Sequence, residues 1–74
     1  MAEGELQKTV GANVARIRHG LGLSQERLAN DVLGLSTRYV AGIEAGRQNM
    51  TLRSLERLAD SLGVPPLELL QGET

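Results

Sequence analysis

Residues 24–46 read SQERLANDVLGLSTRYVAGIEAG, and two short helices are written into them. Ser24 stands before Gln25-Glu26-Arg27-Leu28-Ala29 as an N-cap, its hydroxyl able to accept from an orphan backbone amide, and Glu26 suits the positive end of the helix dipole. The spacing ends this helix near Val32-Leu33, where Gly34 punctuates it. Ser36 is a second cap, opening a helix from Thr37 to Ala45 with Val40 and Ile43 as its inward pair, and Gly46 closes it. Two short helices joined by a Gly-containing turn make a helix-turn-helix. In that arrangement the second helix can enter the major groove with its N-terminal residues at base edges. Such use demands a polar start and an apolar back. Ser36, Thr37, Arg38 and Tyr39 supply the first, Val40 and Ile43 the second.

The flanks are also helical. Leu6, Val10, Val14, Ile17 and Leu21 recur in steps of three and four, one face of a first helix that Gly20 and Gly22 stop. After a polar loop, Arg47-Gln48-Asn49-Met50, Thr51 caps a helix carrying Leu52, Leu55, Leu58, Ala59 and Leu62. Gly63 ends it, and Pro65-Pro66 cannot continue a helix interior. Pro66 or Leu67 opens a last short helix through Leu69 and Leu70. Residues 1–5 carry no periodic signal and are predicted disordered, 6–71 form one domain with the helix-turn-helix at about 24–45, and 72–74 are a tail. The fold class is all-α, a compact five-helix domain.

Composition agrees. In 74 residues there are thirteen Leu and seven Ala but one Tyr and no Phe or Trp, a balance that favours helix over strand. One small domain is all this length allows. No Cys is present, which excludes disulfides, thiolate metal sites and cysteine nucleophiles, and fits a reduced compartment. No apolar run could span a bilayer. His19 is alone, so no metal site is expected, and nothing resembles a catalytic constellation; the reading is of a non-enzyme without cofactor. The net charge is −1, which counts mildly against a nucleic-acid binder. Its distribution is uneven: residues 16–53 hold six Arg against Glu26, Asp31 and Glu44, while the remainder is acidic, so the middle could present a positive face.

Leu23-Ser24-Gln25-Glu26-Arg27-Leu28-Ala29, Gly34-Leu35-Ser36, Tyr39-Val40 with Ile43-Glu44 and Gly46, Arg47 with Asn49, Thr51-Leu52 with Leu55, and Leu58-Ala59 with Leu62-Gly63-Val64 follow one another in order. Together they resemble the Cro and lambda-repressor-like helix-turn-helix proteins, also called XRE-type, over residues 10–70. Within that family the run Asn49 to Glu56 looks most like the controller proteins of restriction–modification systems. The resemblance implies a lambda-repressor-like fold that binds double-stranded DNA, in the cytoplasm. It also implies roles. Ser36, Thr37 and Arg38 match the base-reading start of the recognition helix, and an Arg there can bond guanine O6 and N7 together. Gln25 matches a phosphate clamp, Tyr39 suits a phosphate contact through its hydroxyl, and Arg47, Gln48 and Asn49 match the loop that meets the backbone, with Arg53 a further contact. Gly42 falls at a position that often reads bases and can only allow close approach. One departure stands out: the family places its turn Gly four residues after the Ala of the second helix, and here Ala29 to Gly34 is five. The extra residue is expected in the turn, or as a bulge near Asn30-Asp31.

Bland readings stand beside these. Tyr39 could be a core filler with a wet hydroxyl, Glu44 is a structural group pairing locally or with a backbone amide, and Arg16 and Arg18, off the apolar stripe, are solvated, though either could reach a phosphate. A single recognition helix covers few base pairs, so a homodimer on a near-palindromic operator is expected, with Val64, Leu67, Leu69 and Leu70 as the seam. With the whole chain forming the binding domain, no small-molecule ligand is expected. The competing class is a protein-interaction adaptor or antitoxin-like module on the same fold, with weak or no specific DNA binding, favoured by the near-neutral charge, Gly42 and the extra turn residue.

Overall fold

A computed structural model describes residues 3–72 as five helices with short connections, and among these residues there is no strand. Helix α1 spans Glu5–Gly20, and α2 begins at Gln25–Arg27 and continues as a π-helical segment, Leu28–Leu33. Helix α3 spans Thr37–Glu44, α4 Leu52–Leu62 and α5 Pro66–Leu70. All three hydroxyl caps form: Ser24, Ser36 and Thr51 accept from the amides of Arg27, Tyr39 and Ser54 at 3.1, 3.1 and 3.0 Å. Each such cap contributes about 1 kcal/mol to its helix. Pro66 takes the first position of α5, where its missing N–H costs nothing.

One core joins all the helices: Val10 and Val14 of α1, Leu28 and Ala29 of α2, Val40 and Ile43 of α3, Leu55, Leu58 and Ala59 of α4, and Leu69 of α5. Helix α1 packs on α3 and α5, while α4 packs on α5 and on the π-helical segment. The apolar stripes run longer than their partners. Leu6 and Leu21, at the ends of the α1 stripe, are 45% and 55% exposed, and Leu52 at the start of α4 is 79% exposed. At the N-terminus, Glu5 already belongs to α1 and residues 3 and 4 form a turn before it, so the expected disorder through residue 5 is corrected there. The rest of that stretch, residues 1 and 2, and tail residues 73 and 74 lie outside the described residues.

Gly11 sets the approach of α1 to α3. A Cβ at this position would lie 2.3 Å from the carbonyl oxygen of Ile43 and 2.8 Å from that of Glu44. A glycine inside a helix costs about 1 kcal/mol relative to alanine. Here the loss is offset by letting the C-terminal end of α3 sit directly on the α1 backbone. Asn13, two residues on, is 5% exposed and donates from Nδ2 to the carbonyls of Leu69 and Gln71 at 2.8 and 2.9 Å. It thereby satisfies carbonyls at the end of α5 and ties that short helix to α1.

The extra residue between Ala29 and Gly34 is absorbed as the π-helical turn. Gly34 adopts φ 66° and donates its N–H to Ala29 O, five residues back, and Leu35 N–H reaches the same carbonyl at 2.8 Å. Asn30, Asp31 and Val32 face solvent while Leu28 and Ala29 stay buried, so the surplus bulges outward and the core phase is kept. Deleting Asn30 is therefore expected to change unfolding free energy by less than about 1 kcal/mol, because the segment closes to ordinary helical spacing. Deleting Asp60, equally exposed but inside a regular α-helix, turns Leu62 and all that follows by about 100° and unfolds the domain. Urea titrations of the two deletions separate these outcomes.

Candidate nucleic-acid interface

Three elements meet at the candidate interface: the N-terminus of α2, the recognition helix, and the loop at residues 47–50. The recognition helix is anchored by Val40 and Ile43, 0% and 2% exposed, and its first turn faces outward. Ser36 and Arg38 are exposed and Thr37 is half-buried. The Ser36 hydroxyl is engaged as the cap of α3. Tyr39 is half-buried and packs on the core, beside a groove of about 310 Å³ between the π-helical segment, α3 and α4. Gly42 is buried, and a Cβ there would meet the Gln48 amide at 2.9 Å, so the missing side chain makes room for Gln48. Arg47 and Asn49 are exposed on the loop, and Arg53 is exposed in the first turn of α4.

Beneath this surface lies an ionic network. Arg18, at the end of α1, grips Glu44, the last residue of α3, through two bonds: Nε to Oε2 at 2.7 Å and Nη2 to Oε1 at 3.0 Å. Their side chains are 12% and 7% exposed. Arg18 Nη1 also donates to the Leu23 carbonyl at 2.9 Å, and Gln25 Nε2 donates to Glu44 Oε1 at 3.0 Å. Burial pushes the Glu44 carboxyl up, but the bonds from Arg18 and Gln25 and the nearby positive charge prevail, holding it below the usual carboxylate range. The same bond to Glu44 raises Arg18 against the opposing effect of burial. Glu44 is the structural group the sequence suggests, although its partner is a guanidinium 26 residues away rather than a local group. Arg18 corrects the sequence reading outright: it is not solvated, and it contributes nothing to a free positive face. Arg27 is likewise paired, with Asp31 at 3.3 Å, in a pair that stays exposed.

The placement of the other predicted residues divides them. Gln25, Ser36, Thr37, Arg38, Tyr39, Arg47, Gln48, Asn49 and Arg53 all belong to α2, α3, α4 or the loops that connect them. Of the predicted seam, Leu69 is fully buried in the core and has no surface to offer a second chain, which corrects that part of the expectation. Val64 and Leu70 are half-buried against the core, and Leu67 is 70% exposed. Sequence reasoning missed Gln7, whose Nε2 donates to Asn49 Oδ1 at 2.7 Å. It also missed Asn13, though Asn13 lies three residues after Val10 and four before Ile17, inside the apolar stripe.

Two short helices set by a glycine turn, the second capped by serine and anchored on its apolar back, are thus in place. The helix-turn-helix family matches residues 14–69 of this chain. The chain belongs to the XRE-type helix-turn-helix family. It is 41% identical over 66 residues to the uncharacterized HTH-type transcriptional regulator y4dJ of Sinorhizobium fredii, covering 89% of this chain and 84% of that protein. Among solved structures it superposes on the hypothetical transcription factor NHTF from Neisseria with a TM-score of 0.82 at 35% identity, over 97% of this chain and 82% of that one. The restriction–modification controller protein C.AhdI from Aeromonas hydrophila superposes with a TM-score of 0.73 at 38% identity, over 85% and 94% of the two chains. The helix-turn-helix fold implied by residues 23–64 is the fold observed.

Because the folded carboxyl of Glu44 lies below its unfolded value, the pair's stabilisation is fully present above the unfolded pKa of about 4.3 and is lost as pH falls through the folded value. Glu44→Gln is expected to flatten the acid limb of the stability–pH curve. Near pH 7, Arg18→Met is expected to cost about 2–4 kcal/mol, since it leaves a nearly buried carboxylate without its cation. The pair Arg18→Met/Glu44→Leu costs less than the sum of its singles. Denaturant unfolding from pH 3 to pH 8 of these three variants and of Glu44→Leu alone measures each effect.

Proposed function

We propose that this chain is a sequence-specific DNA-binding transcriptional regulator that acts as a homodimer on a near-palindromic operator, in the cytoplasm, in the manner of a controller protein. The observation that carries this reading is the exposed Arg38 in the first turn of a helix anchored at its back and end. Laid in a major groove, α3 brings Thr37 and Arg38 to base edges, where Arg38 bonds guanine O6 and N7. Gln25, Tyr39, Arg47, Gln48, Asn49 and Arg53 contact the backbone to either side and fix the register. Relatives named as transcriptional regulators and a controller protein support the reading. No helix among the described residues is long and apolar enough to cross a membrane.

A homodimer places its two recognition helices about 34–36 Å apart, one turn of DNA. The self-association surface is the exposed Leu67 with the half-buried Val64 and Leu70 beside it, Leu69 being fully buried. Leu67→Glu, at a surface position, is expected to leave the fold intact and yield a monomer by sedimentation at tens of micromolar. A monomeric wild type under the same conditions removes the seam.

Selection of bound sites from a random duplex pool at moderate salt tests the main reading, with Arg38→Ala alongside. The expected result is an enriched inverted repeat that loses about 1–3 kcal/mol of discrimination at one base position in the variant. Absence of enrichment, with weak binding that vanishes as salt rises, overturns sequence-specific regulation and leaves the protein-interaction module.

A further inference from the structure

We propose that Gln7 is a positioning residue for DNA binding, acting through Asn49; the assignment rests on the DNA-binding reading above. Asn49 is exposed on the loop after the recognition helix, and its carbonyl Oδ1 accepts a 2.7 Å hydrogen bond from Gln7 Nε2, 42 residues away in sequence on the first turns of α1. With Oδ1 held on α1, the other end of the planar amide, Nδ2 and its two N–H donors, is the end left for an outside acceptor. A phosphate oxygen accepts hydrogen bonds and donates none, so this is the orientation a backbone contact needs. The opposite rotamer presents a carbonyl oxygen to a phosphate, which repels it.

The loop itself is fixed at the same edge. Gly46 packs so closely on α1 that a Cβ there would lie 2.9 Å from Lys8 Cγ and 3.1 Å from its Cα. Gly46 against Lys8 and Asn49 on Gln7 attach the two ends of the segment 46–49 to consecutive residues of α1. Between them sits Arg47, exposed. Gln7 thus removes rotamer freedom from Asn49 before DNA arrives, and pre-ordering of a contact side chain raises affinity without adding a contact. Gln7 touches no DNA in this scheme.

A double-mutant cycle on the full chain tests this, with affinity measured on the selected operator and on an unrelated duplex. Gln7→Met keeps the length and apolar stem of the side chain and removes the amide. It is expected to weaken binding about three- to tenfold, the range for loss of one pre-ordered side chain, by the same factor on both duplexes. Asn49→Ala is expected to weaken binding about tenfold or more, as for a hydrogen bond to a charged group. The decisive figure is Gln7→Met in the Asn49→Ala background, where less than about a twofold further loss is expected. The salt dependence stays unchanged throughout, because neither amide releases counterions. Equal losses from Gln7→Met in both backgrounds, or no loss in either, overturn the assignment while leaving the DNA reading intact. Failure of the wild type to bind any selected duplex overturns the DNA reading and this assignment together.

Discussion

The Arg18–Glu44 clamp, closed over the bare backbone of Gly11, fixes where the recognition helix lies. Without a side chain at Gly11, the last carbonyls of α3 rest on α1, and Arg18 from the same helix holds the carboxylate of Glu44 with two bonds. A nearly buried ion pair adds little net stability over an apolar pair of equal volume, since desolvation cancels much of its attraction. Its value is geometric. Val40 and Ile43 tolerate small slides against an apolar core, whereas a guanidinium fork on a carboxylate accepts one register. The C-terminal end of α3 is therefore locked and its N-terminal end projects freely, which is the asymmetry a helix needs to present Arg38.

The same clamp explains how an extra residue upstream does no harm. Glu44 also binds Gln25 at the start of α2, so both ends of the helix-turn-helix are tied to one carboxylate. Between those ties, Leu28 and Ala29 must meet the core shared with Val40 and Ile43. The surplus residue can go only outward, and the π-helical turn with Asn30, Asp31 and Val32 in solvent is the result. A regular α-helix over the same residues would rotate Leu33 off its packing face.

Much of the fold was legible because it is local. The serine and threonine caps, the glycine stops and the spacing of Val10, Val14, Val40, Ile43, Leu55 and Leu58 depend on neighbours three or four residues away, and each is found as the pattern predicts. The contacts that shape the interface are not local. Arg18 reaches Glu44 across 26 residues, Gln7 reaches Asn49 across 42 and Asn13 reaches Leu69 across 56. Nothing in a helical period says which solvent-side residue will meet another helix, so Arg18 reads as solvated. Two signals were available: a glycine in mid-helix at residue 11, which needs a packing reason, and an asparagine inside an apolar stripe at residue 13. The stripe ends misled in the other direction, for Leu6, Leu21 and Leu52 continue the period past the point where a neighbouring helix covers them.

Charge follows from the same packing. The six arginines of the basic middle are not six free cations, because Arg18 is spent within the core margin and Arg27 is paired with Asp31. Exposed acids lie on α4 as Glu56 and Asp60 and also on α2 as Glu26, beside Gln25, so the arginines that remain stand among negative charges. Bound to DNA as proposed, a protein so equipped neutralises few phosphates, and its non-specific binding, almost wholly electrostatic, is expected to be correspondingly weak. In the proposed DNA-binding reading a neutral donor such as the Asn49 amide then carries a larger share of backbone recognition. Unlike a charge, which attracts from any direction, an amide must be aimed. The amide of Gln7 holds the Asn49 donors in one orientation, whereas the Gln25 nitrogen is already turned to Glu44. On the proposed reading, in a domain with a net charge of −1, fixed geometry takes over the part that excess positive charge plays in basic DNA-binding proteins.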